Sequence, residues 1–215
     1  GQLERELEKF TGAKHVITCS SGTDALLLAM MAIDIQPDDE IITTPFTFIA
    51  TAETIALMKA KPVFVDIESD TFNIDATKIE AAITTKTKAI MPVSLYGQPA
   101  DMDAIQTIAN NHNLKVIIDG AQSFGSTYRG KVDSILGDIS TTSFFPAKPL
   151  GCYGDGGAVF TQNDADAALI RSISLHGKGS HKYENVNIGM NSRLDTIQAA
   201  VLIEKLKILP DELIA

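Results

Sequence analysis

Residues 115–122 read KVIIDGAQ, and this stretch decides the fold of the chain. Val116, Ile117 and Ile118 are apolar without alternation, which is typical of a strand that is buried on both faces. An acid, Asp119, follows at once, and a glycine after it allows a turn. Strands of this kind belong to parallel sheets that helices cover on both sides. The stretch therefore predicts an α/β fold.

Outward from this strand, short apolar runs alternate with helical patterns along the whole chain. The predicted strands are 15–19, 40–44, 62–67, 89–94, 115–119, 139–144 and 157–161. The predicted helices are 1–10, 23–33, 48–58, 75–83, 102–111, 164–176 and 194–206. This alternation predicts a three-layer α/β/α domain with a mostly parallel sheet, and the run 62–65 is expected to be buried on both faces like 116–118. Ligands of such sheets bind at the carboxyl ends of the strands.

Composition excludes several classes of protein. The 215 residues include 18 Lys and Arg against 27 Asp and Glu, a net charge of -9. A chain this acidic lacks the positive surface that binds nucleic acid or an anionic membrane. Two cysteines cannot form a disulfide framework, and no apolar run approaches the roughly 20 residues of a membrane span. We therefore expect a soluble protein of the cytoplasm.

Small and aromatic residues follow the first two predicted strands. Ser21, Gly22 and Thr23 lead into a helix, where they either cap its first turn or hold a phosphate at its N-terminus. The pattern is neither a P-loop nor a G-x-G-x-x-G fingerprint, so ATP and NAD are not favoured. Phe46 and Phe48 follow the second strand, where a ring either packs into the protein or stacks on a planar ligand.

Asp119 is expensive to bury at the end of an apolar strand unless it has a partner. That partner is a protonated heterocyclic nitrogen, a metal ion or an arginine, unless the carboxylate caps a helix. A metal is not favoured, because no His, Cys and carboxylate residues have ligand spacing. The four histidines are scattered at positions 15, 112, 176 and 181.

The stretch 141–157 reads TTSFFPAKPLGCYGDGG and contains a single lysine, Lys148. A lone lysine in a loop is usually a solvated surface charge. Here aromatic, proline and glycine neighbours are expected to desolvate the ammonium group and to lower its pKa, as a Schiff-base lysine requires. A phosphate cradle, a stacking ring, a buried acid and such a lysine are the parts that pyridoxal phosphate (PLP) needs.

The segment SFFPAKPLG (143–151), followed by GDGG, resembles the fold-type-I, PLP-dependent nucleotide-sugar aminotransferases of the DegT/DnrJ/EryC/StrS family. The resemblance implies that Lys148 is the Schiff-base lysine and proton shuttle and that Asp119 pairs with the pyridinium nitrogen. It also implies that Gln122 lies near the 3-hydroxyl of the ring and that Phe48 stacks on it. The phosphate-binding residues that it implies are Gly22, Thr23 and Ser143.

A second family segment, 189–200, reads GMNSRLDTIQAA. In the family its asparagine reaches the cofactor phosphate of the neighbouring subunit, so Asn191 implies a homodimer with shared active sites. Without the resemblance, Asn191 is a residue before a helix. Arg193 binds a substrate carboxylate or diphosphate, or forms a structural salt bridge.

Segments 92–98 and 146–157 are most similar to one branch of the family. Its members aminate UDP-2-acetamido-2-deoxy-3-oxo-glucuronate with L-glutamate as donor, for surface polysaccharide. Alternatives are a PLP-dependent nucleotide-sugar dehydratase, although Lys148 argues against those dehydratases in which histidine replaces the lysine, and a non-catalytic regulator that binds PLP or a nucleotide sugar. A plain nucleotide-binding module would leave the Lys148 loop unexplained.

Family members are longer at both ends, so the resemblance implies a truncated chain. Residues 1–209 would form the large cofactor-binding domain, and 210–215 would begin the connection to a smaller C-terminal domain. The polar stretch 176–183, with His176, His181 and Tyr183, either faces substrate or forms a surface loop.

Overall fold

The computed structural model describes residues 1–181 and 183–214. The strands are β1 (His15–Cys19), β2 (Glu40–Thr43), β3 (Lys61–Phe64), β4 (Thr87–Ile90), β5 (Lys115–Asp119), β6 (Thr127–Tyr128), β7 (Lys131–Val132), β8 (Ile139–Ser143) and β9 (Gly157–Thr161). The helices are α1 (Gln2–Thr11), α2 (Gly22–Ala32), α3 (Ile49–Leu57), α4 (Ala76–Ile79), α5 (Met102–His112), α6 (Asp164–Ile173) and α7 (Thr196–Glu212). None of the helices in this part of the chain is long and apolar enough to cross a membrane.

A seven-stranded sheet forms the central layer of the fold, with the strand order β1-β9-β8-β5-β4-β2-β3. Strands β3, β2, β4, β5 and β8 pair in parallel, whereas β9 runs antiparallel to both of its neighbours, β8 and β1. The prediction of a mostly parallel sheet is confirmed. Strands β6 and β7 form a separate short hairpin that the sequence pattern did not indicate.

Apolar clusters cover the sheet on both faces. Ile117 belongs to a cluster that includes Leu28 of α2 and Ile170 of α6. Its neighbours on β5, Val116 and Ile118, point the other way and belong to a cluster with residues of α4 and α5. All three β5 side chains are fully buried. The predicted three-layer α/β/α arrangement is therefore confirmed.

The expectation that residues 62–65 are buried on both faces is wrong. They lie on or next to β3, which is the edge of the sheet and pairs with β2. Phe64 is 52% exposed, and Val63 is only partly buried. Pro62 has no N–H to donate, which an edge strand tolerates and a central strand does not. An apolar run like that at 116–118 thus lies at the edge of the sheet rather than in its interior.

Some element bounds also differ from the prediction. The helix predicted over 75–83 is a single turn, α4, followed by a 3₁₀ turn at 80–82. The helix predicted over 164–176 ends at Ile173, and the last helix begins at Thr196 and continues through Pro210 to Glu212. These differences do not change the order of the layers.

The opposite edge of the sheet is β1, and its outward backbone groups bond to side chains. The N–H of Thr18 donates to Glu4 Oε1 (3.1 Å), and the N–H of Val16 donates to Glu8 Oε1 (3.4 Å). The carbonyl of Val16 accepts from Arg171 of α6 (2.9 Å). Two helices, α1 and α6, thereby cover this edge with charged side chains.

Helix α2 begins where β1 meets β9, and a glycine makes this close approach possible. Ser21 caps the helix by accepting from the N–H of Asp24 (3.0 Å). A Cβ atom on Gly157 of β9 would lie 2.5 Å from the carbonyl carbon of Ser21 and 2.8 Å from the nitrogen of Gly22. Only glycine at 157 lets the start of α2 lie against the sheet at this point.

We expect Gly157→Ala to destabilise the protein by about 1–3 kcal/mol, the usual cost of overpacking. The matched control is Gly154→Ala, whose Cβ would meet the side-chain amide nitrogen of Gln198 at 2.9 Å, an atom that can move away. The measurement is the free energy of unfolding from urea titrations with equal m values. Equal losses from the two substitutions would contradict the proposed contact.

Candidate active site

A cavity of about 420 Å³ lies at the carboxyl ends of five strands, β1, β2, β4, β5 and β8. Its lining residues are Ser21, Gly22, Thr23, Leu26, Thr47, Phe48, Ala50, Val93, Asp119, Ala121, Gln122, Ser143, Phe145, Ala147, Lys148 and Asp155. The cavity is thus lined by all seven residues that the family resemblance places around the cofactor within one chain. They are Gly22, Thr23, Phe48, Asp119, Gln122, Ser143 and Lys148.

The N-terminus of α2 forms one wall of the cavity. Ser21 is the N-cap, and the first-turn residues Gly22 and Thr23 also line the cavity, so the two interpretations of this segment are compatible. A Cβ atom on Gly22 would lie 2.7 Å from the Cβ of Ser143, which packs against it. Unpaired N–H groups and the helix dipole at such an end favour an anion.

The carboxyl group of Asp119 lies at the buried side of the cavity, and the residue is only 5% exposed. It accepts a hydrogen bond from Thr51 Oγ1 (2.7 Å) and one from the N–H of Ala121 (3.2 Å). Burial raises the pKa of Asp119 above its usual value, while these two donors and the positive charge of Lys148 lower it. Asp119 does not cap a helix, because the residues after it form a turn.

Lys148 lies in the turn that follows β8 and is partly buried. The turn is tight: the N–H of Lys148 donates to the carbonyl of Phe145 (2.9 Å), and a Cβ on Gly151 would lie 2.5 Å from the carbonyl oxygen of Pro146. These contacts hold the backbone of Lys148 in place at the edge of the cavity.

Phe48 and Gln122 both line the cavity. The ring of Phe48, at the start of α3, is 68% exposed and does not pack into the core, which leaves it available to a planar ligand. Phe46 instead contacts the ring of Phe72 (5.7 Å between centroids). The side-chain oxygen of Gln122 accepts from the N–H of Tyr96 (2.9 Å), so its amide NH₂ is the group left to donate.

Asn191 and Arg193 do not line this cavity. Both are exposed and border a separate depression of about 370 Å³ before α7. Arg193 Nε donates a hydrogen bond to Asn191 Oδ1 (3.1 Å), which links the two side chains. His176, His181 and Tyr183 are exposed and line none of the cavity, while Lys182 in the same stretch lies outside the described residues.

Sequence reasoning missed two polar groups of the site. The hydroxyl of Thr51, which donates to the carboxyl group of Asp119, also forms a hydrogen bond with Oγ1 of Thr47 (2.8 Å), just before α3. The spacing of the two threonines at i and i+4 could have indicated this contact. Asp155, in the glycine-rich segment that follows the Lys148 turn, also lines the cavity.

The residues present fit a planar ligand that carries a phosphate and a protonated nitrogen. The helix N-terminus suits the phosphate, the exposed ring suits the plane, and the buried carboxylate suits the cation. In the described part of the chain, no group of three or more His, Cys, Asp or Glu residues could hold a metal ion. Fold and site together define an α/β cofactor-binding domain.

The chain belongs to the DegT/DnrJ/EryC1/StrS aminotransferase family, whose model matches residues 1–214. It is 55% identical over 212 residues to the UDP-2-acetamido-2-deoxy-3-oxo-D-glucuronate aminotransferase of Pseudomonas aeruginosa. That match covers 99% of this chain and 59% of the relative. The chain therefore spans less than two thirds of the length of this relative.

Solved structures agree with this assignment. The chain superposes on a DegT DnrJ EryC1 StrS aminotransferase from Brucella abortus with a TM-score of 0.96 and 47% identity, over 98% of this chain and 58% of that one. It also superposes on NtdA from Bacillus subtilis with bound cofactor PMP, with a TM-score of 0.92 and 41% identity. The second match covers 97% of this chain and 47% of the other.

Thr51→Val should increase the loss of stability that ionisation of Asp119 causes. The pKa of this acid is raised in the folded protein, so the unfolded chain releases its proton first and stability falls as the pH rises through the folded pKa. Without the hydroxyl donor the pKa rises further, at a cost of about 1–3 kcal/mol for the ionised form. The measurement is the free energy of unfolding, without added cofactor, from pH 4 to pH 8.

Thr51→Ser is the matched control, because it keeps the hydroxyl donor. We expect its pH profile to follow that of the unsubstituted protein. A valine profile parallel to the serine profile over the whole range would show that the hydroxyl does not act on Asp119.

Proposed function

We propose that this chain is the cofactor-binding part of a PLP-dependent aminotransferase that acts on a keto nucleotide sugar, with L-glutamate as the amino donor. The observation that carries the proposal is the cavity that Lys148 shares with the buried carboxyl group of Asp119 and the N-terminus of α2. The name of the Pseudomonas relative supports UDP-2-acetamido-2-deoxy-3-oxo-D-glucuronate as the sugar. Surface polysaccharide as the destination of the product is part of the proposal and follows the family resemblance.

PLP fits the cavity through residues that already line it. Lys148 would attach the cofactor covalently, Asp119 would pair with its ring nitrogen, and Phe48 would stack on the ring. Gln122 would donate its free NH₂ to the 3-hydroxyl group. The phosphate would be held by Gly22, Thr23 and Ser143. The bound PMP of the Bacillus subtilis neighbour, the pyridoxamine form of PLP, supports this assignment.

When bound, PLP supplies a ring that stabilises a carbanion on the amino-acid Cα. Asp119 would keep the ring nitrogen protonated, and its hydrogen bond from Thr51 would hold the carboxylate in place. The amine of Lys148 would take the proton from the Cα of glutamate and deliver it to the cofactor. General acid–base work of this kind contributes about 10²–10⁴-fold to a rate. Phe48 would cover one face of the ring and exclude water from it.

The proposal extends to assembly and location. Asn191 and Arg193 lie apart from the cavity of their own chain, which supports a homodimer in which they serve the neighbouring subunit's site, Arg193 toward substrate. Both cysteines, Cys19 and Cys152, are buried and unpaired, which supports the reducing cytoplasm as the compartment.

We also propose that residues 1–209 form the large domain and that 210–215 begin the connection to a second domain. The match to only 59% of the Pseudomonas relative supports a further domain in the whole protein. The boundary falls inside α7, which continues to Glu212, and Ala215 lies outside the described residues. The connection would then begin as the last turn of a helix.

The visible absorption spectrum of the protein with PLP tests the function. We expect an absorption band that L-glutamate bleaches, and no such band in Lys148→Ala, because that variant lacks the amine that attaches the cofactor. Turnover of the keto sugar should fall by at least about 10²–10⁴-fold in the variant. Full turnover by Lys148→Ala would remove this lysine from the mechanism.

Product analysis separates the proposal from its rivals. An aminotransferase leaves the donor's nitrogen on the sugar, which ¹⁵N-glutamate would reveal by mass spectrometry. A dehydratase would release a sugar hydroxyl as water and transfer no nitrogen. A regulator would bind PLP or the nucleotide sugar without turnover.

Shared sites can be tested by mixing two inactive variants, Lys148→Ala and Asn191→Ala. A hybrid dimer of the two would contain one site with both groups intact. Random exchange of subunits should therefore restore about a quarter of the activity of the unsubstituted protein, as two-fold symmetry requires. If mixing restores nothing although mass analysis detects hybrid dimers, Asn191 does not act across the interface.

A further inference from the structure

A second carboxyl group, that of Asp133, is buried beneath the candidate site. Asp133 begins a short 3₁₀ turn between β7 and β8, and it is only 2% exposed. It does not line the cavity and has no part in the chemistry proposed above. A buried acid is costly for the folded protein, so its partners indicate what it does.

The partners of Asp133 are hydroxyl groups. Ser94 Oγ donates to one carboxyl oxygen (3.0 Å), and Ser123 Oγ donates to the other. Its own N–H donates to the carbonyl of Ser126 (2.9 Å). In the described part of the chain this carboxyl group has two hydroxyl donors and no cationic partner.

Both serines belong to segments that carry the site. The N–H of Ser94 donates to the carbonyl of Asp119 (3.0 Å), which fixes the backbone of the acid that would meet the cofactor. The N–H of Ser123 donates to the carbonyl of Gly120 (3.2 Å) and closes the turn that presents Gln122. Asp133 therefore joins two backbone segments that hold Asp119 and Gln122.

The same turn brings the two acids close together. A Cβ atom on Gly120, next to Asp119, would lie 3.0 Å from Asp133 Oδ2. Asp119, at the end of β5, is the charged group that acts on Asp133, and strands β8 and β9, which pack on its turn, contain no acidic or basic residue. Ser140 of β8 donates to the backbone carbonyl of Asp133 (3.4 Å).

Burial and the charge of Asp119 raise the pKa of Asp133 from 3.8 to about 6, although the two serine donors lower it. The group therefore changes charge between pH 5 and pH 7 in the protein without cofactor. Because the folded pKa is raised, the ionised form destabilises the fold, and stability falls as the pH rises from about 4 to about 7. A cation bound at Asp119 would favour the ionised form of Asp133 as well.

We propose that Asp133 is a positioning residue that ties the strength of PLP binding to pH. It acts through Ser94 and Ser123 on the geometry of Asp119 and Gln122, and through its charge on the pyridinium nitrogen. Binding of the protonated ring releases the proton of Asp133 to solvent at acidic pH, so affinity rises with pH as Asp133 ionises. This inference rests on the proposed function, since its ligand is PLP.

The test compares Asp133→Asn with the unsubstituted protein, because asparagine keeps the shape of the side chain and removes its charge. The equilibrium affinity for PLP is measured by absorbance titration at pH 5 and pH 8. We expect the variant to bind at least about fivefold more weakly at pH 8, the lower end of ordinary coupling between sites, and the difference to shrink at pH 5. Asp211→Asn, the same change at an exposed position on α7, is the control.

A second measurement needs no cofactor. The free energy of unfolding of the unsubstituted protein should fall as the pH rises from about 4 to about 7, and this fall should be smaller in Asp133→Asn. If that variant does not fold, Ser123→Ala replaces it: loss of a donor raises the pKa of Asp133, so the rise in PLP affinity should move to higher pH.

The outcomes separate the inference from the function on which it rests. If the unsubstituted protein binds no PLP, the proposed function fails. Suppose instead that the unsubstituted protein binds PLP. If Asp133→Asn then binds PLP as tightly as the unsubstituted protein at both pH values, or more weakly by the same factor at both, Asp133 has no charge-dependent role and the inference is overturned. A loss confined to high pH supports it.

Discussion

The rest of the structure depends on one constraint, the burial of the Asp119 carboxyl group at the end of a strand that is apolar on both faces. A carboxylate in that position needs donors, and Thr51 and the backbone of Ala121 supply them. Helix α3 places Thr51 beside this carboxyl group, the turn after β5 supplies the N–H of Ala121, and the turn after β8 brings the positive charge of Lys148 near it. This burial favours a bound positive charge beside Asp119, because the remaining cost is offset when such a charge binds.

The apolar run at 116–118 predicted its own position correctly, because a strand with two apolar faces has to lie inside a sheet covered on both sides. The prediction from the similar run at 62–65 was wrong, because composition does not encode how many neighbouring strands a strand has. β3 lies at the edge, and Phe64 is left exposed. The small hairpin of β6 and β7 also escaped prediction, since two-residue strands have no periodicity to detect.

The sequence predicted which residue types line the cavity, because small, aromatic, acidic and basic residues at strand ends are conspicuous. It did not predict the groups that support them. Thr51 is one threonine among many, and Asp133 lies in a loop that no motif marks. Their roles arise from tertiary contacts, which spacing along the chain does not reveal. The hydrogen bond between Asn191 and Arg193 was not predicted, and within one chain the two residues lie apart from Lys148.

Both margins of the sheet are closed to further strands. At β3, Pro62 lacks the N–H that an incoming strand would require, and at β1 the groups of Val16 and Thr18 are already bonded to Glu8, Glu4 and Arg171. Exposed strand edges are the usual starting points for aggregation, and prolines and charged side chains block them. Copies of this chain that meet in a crowded cell are thereby steered away from β-type fibres and toward contacts between side-chain surfaces.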